Sequence, residues 1–252
     1  MKRFLAAIQF LTVFPLPSSL AISGRDLGRS APFFPLVGLG IGASAAGLDC
    51  LLGQILPVAV VSVLVVIFLL TASGGLHMDG LADTADGFFS SRPREKILEI
   101  MRDSRTGPMG VMAIVLVLIL KITLLASLPA SARWWVLLLM PVAGRCALLI
   151  NMGVIPGARR EGGLASIFYL HRSRLHVALA LAVPAAAGVL AGGWTGLAAG
   201  LAAFFFSLLF AVYVYYKIGG STGDTLGAAC ELAELIPALV CVIWVHRGWA
   251  ML

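Results

Sequence analysis

Apolar stretches about twenty residues long recur along this chain, and no other feature constrains its fold as tightly. At 1.5 Å per residue, such a stretch crosses the hydrocarbon layer as one helix. Seven can be drawn, at 33–54, 57–77, 108–128, 134–152, 176–192, 194–216 and 226–246. Only 12% of the residues are charged, about half the share in a soluble domain. That is too little polar surface to cover so large an apolar core. The alternation of apolar and polar residues that a membrane β-barrel requires is absent. The expected fold class is all-α, a polytopic bundle of about seven transmembrane helices forming a single integral-membrane domain over residues 1–252. The segment 1–17 begins with Lys2 and Arg3 and is broken by Pro15 and Pro17. No small-residue cleavage site follows, so it reads as an interfacial or re-entrant helix rather than a signal peptide.

The formal charge of +6 does not point to nucleic acid, because the basic residues follow the loops. Lys2, Arg3, Arg25 and Arg29 precede the first span. Arg92, Arg94, Lys96, Arg102 and Arg105 separate the second from the third. Arg159, Arg160, Arg172 and Arg174 separate the fourth from the fifth, and Lys217 lies between the sixth and seventh. The opposite side holds only Arg133 and Arg247. Every alternate loop is basic, which puts those loops and the N-terminus in the cytoplasm. Cys50, Cys146, Cys230 and Cys241 lie far apart in apolar runs and read as small core residues, not a disulfide framework or zinc site.

The most informative segment runs from Gly74 to Gly87, where the second span reaches the cytoplasmic side. It contains His77, Asp79, Gly80, Asp83, Asp86 and Gly87. At roughly 100° per residue, Asp79, Asp83 and Asp86 fall at roughly 0°, 40° and −20° on a helix. Three carboxylates on one narrow face repel each other, and ionisable groups at a membrane are costly. A hard divalent cation such as Mg²⁺ relieves both, sharing carboxylate oxygens with water and phosphate. The bland alternative is a solvated helix end. Gly80 and Gly87 leave the helix surface bare for a ligand or another helix. The spacing does not choose between prenyl transfer and alcohol phosphotransfer.

A second acidic position follows a small-residue turn, Gly219-Gly220-Ser221-Thr222-Gly223-Asp224. Its backbone N–H groups and the next helix N-terminus suit an anion. Asp224 reads either as a fourth carboxylate or as an ordinary N-cap. Glu231, nearly on the Asp224 face, is expected to support it. Arg102 and Arg105, one turn apart if helical, are candidates to neutralise phosphate, with Asp103 between them. His77 is expected to bond Asp79. Lys121 and Arg145 fall inside spans, where a charge needs a partner. For Lys121 the candidates are Asp49, Glu231 or snorkelling to the interface.

These residues carry a resemblance. The chain resembles the cobalamin synthase (adenosylcobinamide-GDP ribazoletransferase) family in Phe10-Leu11-Thr12, in Phe34-Pro35-Leu36-Val37-Gly38, in the run His77 to Gly87, in Glu99 to Gly107, and in Gly219 to Asp224 followed by Gly227. Met78 and Ser221 depart mildly from its pattern. The resemblance implies a Mg²⁺-dependent enzyme of a bacterial inner membrane, with its active site facing the cytoplasm. Its reaction joins adenosylcobinamide-GDP to α-ribazole, or to the 5′-phosphate, and releases GMP. It implies Asp79, Asp83, Asp86 and Asp224 as catalytic and metal-holding, and Arg105, Arg102, Asp103, His77, Gly80 and Gly223 as substrate-binding. The lipid bilayer is the expected partner, nucleic acid is not, and a homo-oligomer is compatible with the sequence. The alternatives are a CDP-alcohol phosphotransferase, whose pattern wants an Arg that is missing after Ala82, and a cation transporter built on intramembrane acids.

Overall fold

In a computed structural model, which describes residues 1–17, 22–158 and 164–249, the chain is helical throughout its spans. Arg159 and Arg160 lie outside the described residues. The helices are α1 (Lys2–Leu11), α2 (Gly24–Gly28), α3 (Phe34–Leu52), α4 (Val58–Ala72), α5 (Leu76–Phe88), α6 (Arg94–Ile100), α7 (Pro108–Ala126), α8 (Ala130–Val154), α9 (Leu164–Tyr169), α10 (Arg174–Ile218) and α11 (Gly223–His246). Among the described residues, five are long and apolar enough to cross a membrane, or six if α4 and α5 together form one bent span.

Segment α10 is two helices, not one. Gly193 sits at φ 56°, ψ −138°, a backbone position that side-chain-bearing residues avoid. The chain reverses there. A Cβ on Gly200 would stand 2.5 Å from the carbonyl oxygen of Pro184, and Gly188 meets Gly196 backbone to backbone. This hairpin accounts for the separate spans expected at 176–192 and 194–216.

Burial orders the bundle. The span of α8 is 89% buried and that of α11 is 67%, against 28% for α7. Thus α8 is the central rod, packed by α3, α10 and α11, while α7 turns most of its surface to lipid. The amphipathic α1 lays Ala6, Ala7 and Leu11 inward, and its Phe10 packs on Phe34 and Phe168. Cys146, Cys230 and Cys241 are buried as expected, whereas Cys50 is exposed.

Charges inside the bundle are paired. The Lys121 ammonium donates to Glu231 at 2.6 Å and to Glu234 at 2.7 Å, and Arg145 pairs with the other Glu234 oxygen. Lys121 therefore takes Glu231, not Asp49, and Glu231 is not available to support Asp224. Asp49 belongs instead to Arg133. Arg133 is not a loop residue: it lies in the first turn of α8, almost fully buried, and also donates to the Leu125 carbonyl. Without water, an orphaned backbone or side-chain group is costly, so each long basic chain is drawn to the nearest acceptor. The second span is shorter than expected, ending at Ala72, because Gly74 and Gly75 follow.

Glu234 compensates two cations at once. Glu234→Ala should cost about 3–5 kcal/mol, read as a lowered thermal unfolding midpoint in detergent. An unchanged midpoint would show that the cluster does not hold the bundle together.

Candidate active site

The site begins at an elbow. Gly74 and Gly75 both adopt positive φ, 61° and 74°, and the Gly75 N–H bonds the Leu70 carbonyl at 3.0 Å. The chain turns so sharply that α4 and α5 meet at 89°. Helix α5 buries Met78, Leu81, Ala82, Ala85 and Phe88. On its other side Asp79 is exposed and Asp83 and Asp86 are half-buried, sharing the face expected from their spacing.

Helix α11 brings the fourth carboxylate. A Cβ on Gly80 would stand 2.7 Å from the Asp224 carbonyl oxygen, and one on Gly227 would stand 2.9 Å from the His77 carbonyl oxygen. The two backbones touch because neither residue has a side chain. Asp83 consequently faces the negative charges of Asp79, Asp224 and Asp86. Asp224 is not the cap of α11. Thr222 is: it accepts from the Thr225 N–H at 3.3 Å, and Thr225 Oγ1 accepts from the Thr222 N–H at 2.9 Å. Asp224 sits in the first turn and accepts from the Thr222 hydroxyl at 3.2 Å.

Asp86 has a different attachment. Its two carboxylate oxygens accept from the Gly107 N–H at 2.6 Å and the Gly110 N–H at 2.8 Å. Helix α7 begins with Gly107 and Pro108 and has no side-chain cap of its own, so a neighbouring helix supplies the anion its N-terminus requires. A Cβ at Gly107 or Gly110 would lie 2.5 Å from that carboxylate. The signal for this cap was a Gly-Pro helix start, which puts Gly107 rather than Ser, Thr, Asp or Asn at the cap position.

Gly87 lies under Met101, whose Cγ would be 2.7 Å from an added Cβ. The loop 102–106 is thus tied to α5 at both ends. It carries Arg102, Asp103 and Arg105, all exposed. Helix α6 stops at Ile100, so Arg102 and Arg105 do not share a helical turn: after Met101 the chain must turn to reach α7. Arg105 grips Asp103 with bonds of 2.7 and 3.0 Å, holding that carboxyl down at about 2. Such an exposed pair is weakly held.

His77 is turned away from Asp79. It is buried within electrostatic reach of Arg145, Glu234 and Lys121, linking the acid helix to the buried ion pairs. Gly223 is open, with no atom within 4 Å of an added Cβ. In the glycine turn, the Ser221 N–H is engaged by the Pro156 carbonyl and the Thr222 N–H by Thr225, so those two donors are not aimed at an anion. Sequence reasoning missed what holds this turn. Arg94, read only as a topology signal, donates to the Ile218 carbonyl at 2.7 Å and the Ala158 carbonyl at 3.0 Å. Lys217 donates to the Phe88 carbonyl at 3.1 Å.

Among the described residues, no three His, Cys, Asp or Glu side chains stand close enough to hold one metal ion by themselves. Mg²⁺ does not ask for that. It keeps several waters and binds through one or two carboxylates together with substrate phosphates. The donor set on this face is carboxylate only, which suits a hard cation and disfavours a soft one.

A family model described as cobalamin-5-phosphate synthase matches residues 3–242. The chain belongs to this family. Among relatives, an adenosylcobinamide-GDP ribazoletransferase of Geotalea daltonii is 36% identical over 96% of this chain and 97% of its own. One of Acetivibrio thermocellus is 39% identical over 93% of this chain and 94% of its own, and one of Desulforamulus reducens is 39% identical over 90% and 91%. No solved structure matches. Family membership therefore spans all the elements that build the acid face, from the elbow to α11.

The α5–α11 contact admits no side chain. Gly80→Ala should lower stability by about 1–3 kcal/mol, measured by thermal unfolding, whereas Gly223→Ala should stay within about 0.5 kcal/mol. Equal effects would mean that the two backbones are not in contact.

Proposed function

We propose that this chain joins ribazole, or its 5′-phosphate, to adenosylcobinamide-GDP with release of GMP, in a magnesium-dependent step at the cytoplasmic face of a bacterial inner membrane. One observation carries the reading: in a member of this family, Gly80 and Gly227 let two helices bring Asp79, Asp83 and Asp224 to one place. Phosphoryl transfer between an alcohol and a pyrophosphate needs positioning and charge neutralisation more than covalent help from the protein.

The residues divide the work. Asp79 and Asp83, together with substrate phosphate and water, would hold the magnesium ion, which neutralises pyrophosphate oxygens when bound. Asp86 already bonds two backbone N–H groups, so its role is to fix α5 against the start of α7. Asp224 takes the proton of the attacking ribose hydroxyl. Arg105 and Arg102, on the loop anchored at Gly87 and Asp86, neutralise phosphate oxygens of either substrate. The phosphorus–oxygen bond to GMP breaks as the bond from ribose oxygen to the corrinoid-linked phosphorus forms. The basic loops beside these residues support a site on the cytoplasmic side.

The decisive experiment is GMP release from adenosylcobinamide-GDP and α-ribazole by the purified protein in liposomes, with magnesium or with a chelator. Release should require the metal and fall at least about a hundredfold in Asp83→Asn. No GMP from folded, substrate-saturated protein would sink the reading, and CDP-alcohols and cation flux would be tested next. Arg105→Lys keeps the charge but loses the planar fork. It should raise KM about tenfold for a phosphate-bearing substrate, with kcat nearly unchanged.

A further inference from the structure

Behind the acid face lies a cavity that the proposed chemistry does not use. It has a volume of about 420 Å³ and opens between α5, α7, α10 and α11. Thr84, Phe88, Met112, Val117, Tyr213 and Leu232 line it, and no charged side chain does. Leu81, Thr84 and Phe88 fall roughly 140–200° around α5 from Asp79. The cavity and the carboxylates are therefore on opposite sides of one helix.

Its surroundings identify the medium it opens to. Met109, Met112 and Leu116 of α7 are 41%, 49% and 65% exposed, and Phe89 is 64% exposed. Apolar side chains exposed on a transmembrane rod face lipid. The lining runs from Met109 to Val117, about 12 Å along α7 at 1.5 Å per residue, inward from the cytoplasmic end.

Two polar features set this recess apart from a smooth lipid-facing groove. Thr84 is 5% exposed, and its hydroxyl has no hydrogen-bond partner among the described residues. A threonine inside a helix usually satisfies its hydroxyl on the preceding turn, as Thr71 and Thr123 do here. Thr84 does not, and it lines the cavity. At the rim stands Lys217, whose ammonium touches the Phe88 carbonyl and lies 5.8 Å from the Tyr213 ring centre. Both of those residues line the cavity. An ammonium has three donors, so this contact leaves capacity for a phosphate.

We infer that this cavity is a binding site for one acyl chain of an anionic glycerophospholipid from the cytoplasmic leaflet. The chain fills the apolar recess, an ester oxygen meets the Thr84 hydroxyl, and the phosphate meets Lys217. Burial of methylene groups supplies most of the affinity, and the cation selects headgroup charge. A bound lipid would brace the back of α5, so the helix carrying Asp79 and Asp83 rests on the membrane itself. The inference does not depend on which reaction the acid face performs.

The test is lipid retention. Full-length protein is equilibrated with vesicles of phosphatidylglycerol or of phosphatidylcholine, extracted in mild detergent and analysed by native mass spectrometry. Wild type should keep one phosphatidylglycerol per chain. Ala113→Trp fills the recess and should cut retention at least about tenfold. Lys217→Gln should lose an approximately fivefold preference for phosphatidylglycerol over phosphatidylcholine. Thr84→Val, which keeps the volume and removes only the hydroxyl, should weaken retention while the fold, followed by circular dichroism and thermal midpoint, is unchanged. Thr84→Val also decides the matter if Ala113→Trp does not fold. Retention unaffected by these changes, equal retention of both lipids by wild type, or a dimer that carries no lipid and buries the same recess would each overturn the inference.

Discussion

Everything in this bundle depends on a rule of the bilayer: a charge taken out of water must meet its opposite. Lys121 of α7, Arg145 of α8 and Glu231 and Glu234 of α11 meet in the interior. The cluster draws three helices to one point, and His77 of α5 stands within its field. Once α11 is held there, its first turn lies against Gly80. Only then does Asp224 join Asp79 and Asp83. The charges that look out of place in the apolar spans are thus what register the helices on which the site is built.

The same economy governs the helix ends. Helix α7 starts with no capping side chain, and Asp86 of α5 provides the acceptor. That bond fixes α5 against α7 and seats the loop bearing Arg102 and Arg105 at the end of the acid face. On the other side of the site, Arg94 and Lys217 donate to the carbonyls where α10 and α5 finish. Basic residues that report topology in the sequence also satisfy the orphan carbonyls of the spans they flank.

Much of this was legible beforehand. The length of the apolar runs named the fold class, and the break at Gly193 separated two spans that form a hairpin. The 3.6-residue period put Asp79, Asp83 and Asp86 on one face, as they are. Partner choice was harder to read. Lys121 had several acids within plausible reach, and Arg133 looked like a loop residue until α8 was seen to begin at Ala130. Arg102 and Arg105 were spaced for a helix that ends at Ile100. His77 was two residues from a carboxylate in sequence but lies within the field of other charges.

The sequence by itself determined the solvent, the class and the acidic face of α5. Each follows from local periodicity and from the energy of moving a side chain into lipid, which neighbours in space do little to change. Tertiary structure alone decided that Asp224 meets that face, that Asp86 caps α7, that Glu231 belongs to Lys121, and that a recess lies behind Thr84. Those outcomes turn on how closely two backbones approach and which acceptor is nearest. Both are set by helices far apart in the chain, and no local pattern records them.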